Sequence, residues 1–111
     1  MQNVENKEFI YPAEDRDGYV GGLKKLFSLT HKQMEKIWLR TCVLLEEEYD
    51  NDDKAVIAAF LRSQWGNYIA GELAANLSCK ATATSILELL EEMDWHLFEY
   101  PFDSFANEMN R

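Results

Sequence analysis

The sequence has few of the residues that build disulfide frameworks, metal centres and histidine-dependent active sites. Its two cysteines, Cys42 and Cys79, form no CxxC pair, and its only histidines are His31 and His96. Zinc sites and secreted disulfide scaffolds depend on closely spaced ligands, so this spacing indicates two buried, reduced thiols. The sequence also contains no HExxH helix and no phosphate-binding glycine loop. We therefore predict a non-enzymatic protein with no cofactor, no metal and no catalytic residue.

Long apolar runs are also missing, and the sequence does not open with a basic segment followed by an apolar one. A transmembrane helix needs about 20 mostly apolar residues, and a secretory signal needs such a leader. The sequence therefore predicts a cytoplasmic protein that does not bind membranes.

Basic side chains are in the minority, with 11 lysines and arginines against 20 aspartates and glutamates and a formal net charge of −9. This charge repels phosphate groups and attracts basic surfaces. We expect a basic protein partner, of which nucleic-acid-binding proteins are one class, and no direct contact with nucleic acid. The sequence leaves open whether the chain is a monomer or a homodimer.

Apolar residues, 47% of the chain, recur at helical spacing and predict an all-α fold. The strongest start signal is the capping box of Thr30 and Gln33, with Leu29 and Met34 as a hydrophobic staple. The helix that begins there should run to about Tyr49. Its predicted buried stripe consists of Met34, Ile37, Trp38, Thr41, Leu45 and Tyr49.

A second helix is predicted over residues 54–77, with Asp52 or Asp53 as its cap. Glycine costs about 1 kcal/mol relative to alanine inside a helix, so we favour a break at Gly66. The alternative is that Gly66 and Gly71 let a neighbouring helix or ring approach closely. The apolar residues of this segment recur every four positions, at Ile57, Leu61, Trp65, Ile69, Leu73 and Leu77, with Phe60 and Tyr68 beside them.

The last helix should begin near Thr82 or Thr84 and end at Tyr100, because Pro101 removes a backbone donor and disfavours helix before it. Its buried stripe should consist of Ile86, Leu90, Met93 and Leu97. The prediction is therefore one domain, an all-α compact bundle of three to four principal helices over residues 23–100. A short N-terminal arm or hairpin precedes it (residues 1–22), and a C-terminal tail follows it (residues 101–111), whose two phenylalanines could fold back on the body.

An acidic run occupies residues 46–53, with six acidic side chains in eight positions. An EF-hand loop that begins at Asp50 would need an acid at Lys54, a glycine at Ala55 and a glutamate at Leu61, so this calcium motif is excluded. We interpret the run as a solvated joint between two helices. It becomes part of a binding surface only if the fold brings it beside the acids of the last helix.

Residues 71–92 resemble a helix-turn-helix motif in the apolar positions Leu73, Ala74 and Leu77 and in the short link to a second helix. They depart from it at Ser78, where the turn usually has glycine, and at Thr84, where an aliphatic residue is usual. A recognition helix offers basic or amide side chains to the bases. Here that helix carries the acids Glu88, Glu91, Glu92 and Asp94. The resemblance implies a regulator in which a dimer or a partner supplies the contact surface.

The acids of the last helix surround a tryptophan, because Glu88, Glu92, Trp95 and Glu99 are spaced four, three and four apart. A large ring supplies burial at an interface while charges steer a basic partner. The alternative is that Phe102 or Phe105 covers Trp95 and makes it part of the core. The predicted partner-binding residues are Glu88, Glu91, Glu92, Trp95, Glu99, Glu46, Glu47, Glu48, Asp50, Asp52 and Asp53.

Together these features favour a small acidic protein-binding module. We interpret it as an inhibitor or adaptor that occupies a basic site on its partner, including a site that otherwise binds nucleic acid. Proteins that phages and plasmids encode against host defence enzymes often have this composition. The alternative hypotheses are a helix-turn-helix-derived regulator and a homo-oligomerising structural subunit.

Overall fold

The computed structural model describes residues 10–49, 54–77, 81–93 and 96–109, apart from the side chains of Glu48, Tyr49 and Lys54. Within these ranges the chain forms helices and no strands, so the all-α prediction is confirmed. The predicted number of three to four helices is too low. The described residues form six helices: α1 (Gly18–Leu26), α2 (His31–Tyr49), α3 (Lys54–Arg62), α4 (Gln64–Asn76), α5 (Ala83–Met93) and α6 (His96–Met109).

Helix α2 begins and ends where the sequence predicts. The Thr30 backbone N–H donates to Gln33 Oε1 at 2.8 Å, and the Gln33 backbone N–H donates to Thr30 Oγ1 at 3.2 Å, which completes the capping box. The buried hydroxyl of Thr41 donates to the Ile37 carbonyl at 2.7 Å and lies 3.0 Å from the Tyr19 hydroxyl, so its polar atom is satisfied. The predicted stripe is buried at Met34, Ile37, Trp38, Thr41 and Leu45.

Residues 18–22 belong to the buried helix α1 and not to the predicted arm or hairpin. Three glycines in nine residues oppose helix formation by about 1 kcal/mol each, so tertiary contacts must stabilise α1. A Cβ at Gly18 would lie 2.8 Å from the Arg62 carbonyl oxygen, and one at Gly22 would lie 2.6 Å from the Cβ of Ala70. The glycines therefore let α1 approach the end of α3 and the face of α4 more closely than any side chain would allow.

The long middle helix breaks at Ser63, three residues before the predicted position. The Ser63 side chain accepts from the Trp65 backbone N–H at 3.1 Å and donates to the Phe60 carbonyl at 2.6 Å, so it ends α3 and caps α4. Gly66 lies buried in the first turn of α4, where a Cβ would come within 2.7 Å of the Tyr19 nitrogen. The close-approach alternative is thus confirmed at Gly66 and wrong at Gly71, which is exposed and has open space around it.

The predicted helix end at Tyr100 is wrong, because α6 continues through Pro101 to Met109. A proline inside a helix costs about 3 kcal/mol, whereas each fully buried large apolar side chain contributes about 1.5–3 kcal/mol. The ring of Phe60 lies 5.0 Å from that of Phe102 and 5.4 Å from that of Phe105, so the predicted tail packs on the core as a helix. This burial offsets the cost of the proline.

Helix α1 packs mainly on α4, and α5 packs on α2. The two helices of the segment that resembles a helix-turn-helix motif therefore have different main neighbours. Arg62 joins the end of α3 to the segment before α1 through two bonds to Asp15, at 2.8 and 2.9 Å. No helix within the described ranges is both long and apolar enough to span a membrane.

Candidate partner-binding surface

The predicted acidic face is divided between two helices. Glu88, Glu91 and Glu92 lie exposed on α5, whereas Glu99 lies exposed on α6. The prediction that Glu99 shares one helix face with the other acids is therefore wrong. At the end of α2, Glu46 is half-buried and Glu47 is exposed. Trp95, Asp50, Asp52, Asp53 and the side chain of Glu48 lie outside the described residues.

Basic side chains neutralise part of this acidic surface. Arg40 of α2 forms an ion pair and a hydrogen bond with Glu91 of α5. The Nδ1 atom of His96 lies 3.9 Å from a carboxylate oxygen of Glu99. Within the described part of the chain, Glu88 and Glu92 have no ion-pair partner. We call these two residues, four apart on α5, the acidic ridge.

An apolar groove of about 400 Å³ lies between α2 and α5, and its α5 wall contains Leu87 and Glu91, the residues that directly precede the two members of the acidic ridge. Its apolar lining consists of Leu39, Val43 and Leu87, and Leu39 remains 36% exposed. The charged lining consists of Lys36, Arg40 and Glu91. An exposed apolar floor with a charged rim has the composition of a protein-binding surface.

The sequence does not predict this groove, because the groove depends on how two distant helices pack. One signal was present, since Leu39 and Val43 are four residues apart on α2 and lie off its buried stripe. Two apolar residues at this spacing on an otherwise polar face indicate a second, smaller contact surface.

A second concave region, of about 410 Å³, lies at the start of α4 and is lined by Gln64, Trp65, Asn67 and Tyr68. The rings of Trp65, Tyr68 and Tyr100 stand beside one another, and we call this cluster the aromatic corner. Its centroid separations are 5.9 Å for Trp65–Tyr68, 5.9 Å for Trp65–Tyr100 and 6.0 Å for Tyr68–Tyr100. The sequence placed Tyr68 beside the core, whereas the structure leaves it 41% exposed.

Comparison with protein-family models, curated proteins and solved structures gave no match to this chain.

The buried titratable groups belong to the core. Burial, reinforced by the negative charge of Glu46, raises the pKa of the Cys42 thiol far above its usual range. Burial also raises the pKa of Tyr19, against the opposing effect of its hydrogen bond to Thr41. Both groups therefore stay protonated at neutral pH. The described residues contain no group of three side chains that could hold a metal ion.

Proposed function

We propose that the protein is a non-enzymatic binding module that docks a basic, amphipathic segment of a partner protein along the apolar groove. The observation that carries this proposal is the apolar floor of Leu39, Val43 and Leu87, because the exposed acids Glu88 and Glu92 directly follow the groove residues Leu87 and Glu91 in the chain. Apolar side chains of the partner would cover the floor, and its lysines or arginines would lie over the ridge. This division of roles between burial and charge is usual at protein interfaces.

Local charges matter more for this docking than the net charge of the chain. At physiological ionic strength the Debye length is about 8 Å, so charges elsewhere on the protein are largely screened at the groove. The Arg40–Glu91 pair is exposed to solvent, and such a pair contributes about 0–1 kcal/mol. A partner can therefore rearrange it at little cost, and the acidic ridge supplies the main attraction.

The proposal extends to an inhibitor or adaptor that occupies a basic site, including one that otherwise binds nucleic acid. The two carboxylates of the ridge are about 6 Å apart along the helix axis. Duplex DNA carries one charge per about 1.7 Å. Contact with a few basic side chains therefore fits this surface better than imitation of a continuous phosphate backbone.

An affinity pull-down with mass spectrometry tests the proposal, using the single variants Glu88→Lys and Glu92→Lys. Each should recover much less of the partner than the wild-type protein does. The control variant Glu14→Lys reverses a charge at an exposed position outside the groove, and it should recover the wild-type amount. Leu39→Asp should also reduce recovery, because it places a charge on the apolar floor. Lys36→Glu should increase recovery, since it removes a positive charge from the groove wall.

Unchanged partner recovery with both ridge variants would overturn the proposal. Equal losses for Glu14→Lys and the ridge variants would also overturn it, because the partner would then respond to net charge alone. Far-ultraviolet circular dichroism of each variant confirms that its helices have formed.

A further inference from the structure

We infer that the aromatic corner, Trp65, Tyr68 and Tyr100, binds the guanidinium group of an arginine side chain on a partner protein. The inference rests on the proposed function for its partner, and it adds a second contact that lies on α4 and α6 instead of on α2 and α5. Tyr68 is 41% exposed and Tyr100 is 61% exposed. Ring surface at this site is therefore available to a ligand.

The dimensions of the corner suit a cation. The rings meet at 72° for Trp65–Tyr68, 84° for Trp65–Tyr100 and 58° for Tyr68–Tyr100. A ring face attracts a cation within about 6 Å of its centroid, and the three centroids lie no more than 6.0 Å from one another. The spacing of this corner matches those dimensions.

Polar groups beside the rings match the donors of a guanidinium. Trp65 Nε1 donates to Glu108 Oε1 at 3.2 Å, which fixes a carboxylate at the edge of the indole ring. The side-chain amides of Gln64 and Asn67 line the adjacent concavity, and the amide of Gln64 contains an oxygen acceptor. A guanidinium presents five donors in a planar fork and stacks on aromatic faces. It is also more weakly hydrated than the ammonium of lysine, so moving it onto a ring costs less.

The start of α4 opposes a cation, because a helix N-terminus carries about half a positive charge. Glu108 carries a full negative charge next to Trp65 and outweighs this effect. Two further acids lie one helical turn from the tyrosines, Glu72 four residues after Tyr68 and Asp103 three residues after Tyr100. The electrostatic environment of the corner therefore favours a positive ligand.

A titration followed by nuclear magnetic resonance tests the inference without a known partner. The probe is a blocked Gly-Arg-Gly peptide, and the observed signal is the indole N–H of Trp65, assigned with a Trp65→Phe variant. We expect a saturable shift of this signal. The matched peptide with citrulline, a neutral analogue of arginine, should bind at least tenfold more weakly, and Glu108→Gln should weaken arginine binding severalfold. Tyr100→Ala should weaken it as well, because it removes one wall.

Three outcomes would overturn the inference. The first is that the arginine peptide causes no saturable shift at concentrations up to tens of millimolar. The second is that the citrulline peptide binds as tightly as the arginine peptide. The third is that a lysine peptide or tetramethylammonium binds as tightly as the arginine peptide. The last outcome would show a general cation site and not an arginine site. The ridge variants Glu88→Lys and Glu92→Lys should leave this titration unchanged, so failure of the aromatic corner and failure of the groove are distinguishable.

Discussion

Replacement of Gly66 by alanine should destabilise the protein, although alanine is the better helix former. Gly66 lies buried in the first turn of α4, and a Cβ there would overlap the Leu61 carbonyl oxygen and lie 2.7 Å from the Tyr19 nitrogen. Both blocking atoms belong to the backbone and cannot rotate away. The added methyl group must therefore push α1 or the end of α3 out of position.

The size of this effect follows from two opposing contributions. Alanine gains about 1 kcal/mol over glycine in a helix interior. An extra methyl group in a well-packed core costs about 1–3 kcal/mol. Because the blocking atoms belong to the rigid backbone, we expect the cost for Gly66→Ala to lie at the upper end of this range. The free energy of unfolding should therefore fall by about 1–2 kcal/mol.

Gly71→Ala is the matched control, because it makes the same chemical change on the same helix. Gly71 is exposed, and a Cβ there meets no atom within 4 Å. Only the helix-forming gain remains, so this variant should be more stable than the wild-type protein by about 0.5–1 kcal/mol.

Urea unfolding followed by tryptophan fluorescence measures both effects. With an m-value of about 1–2 kcal/mol/M, the Gly66→Ala midpoint should fall by roughly 1 M and the Gly71→Ala midpoint should rise by about 0.5 M. A Gly66→Ala variant as stable as the wild-type protein would refute the close contact between α1 and α4.

Two further predictions concern the core. Burial keeps the Cys42 thiol protonated in the folded state, whereas the thiol of the unfolded chain ionises from about pH 8.5. The free energy of unfolding should therefore fall as the pH rises above this value. This one group should contribute about 1.4 kcal/mol per pH unit to the fall. Cys42→Ala should show a shallower fall in urea titrations between pH 8.5 and pH 10, and an equal slope would contradict the assignment. Phe102→Ala, which removes the ring that packs on Phe60, should lower the free energy of unfolding by about 3 kcal/mol, and an unchanged urea midpoint would show that α6 is not anchored there.

The parts of the fold that local chemistry determines could be predicted from the sequence. The capping box of Thr30 and Gln33 and the stripe of α2 depend on residues a few positions apart, and both were found as predicted. Ser63 was missed as a helix boundary, although serine is a common N-cap, because the apolar period continues across it. The helix continues through Pro101 because the local cost of the proline is offset by packing against distant residues.

Helix α1 and the candidate site depend on contacts that no local pattern reveals. Three glycines, Gly18, Gly21 and Gly22, favour a turn or a loop in isolation, and only the close approach of α3 and α4 makes this segment helical. The acidity of residues 88–99 was evident from the sequence. Its division between α5 and α6, the Arg40–Glu91 pair and the groove required the packing of α2 on α5.

The contact between α1 and α4 also determines how the two helices align. Gly22 of α1 lies against Ala70 of α4, and Gly66, one helical turn before Ala70, lies against the backbone nitrogen of Tyr19 on α1. A shift of either helix by one residue would place a side chain where a glycine now faces the neighbouring helix. The positions without side chains therefore specify the register of this pair.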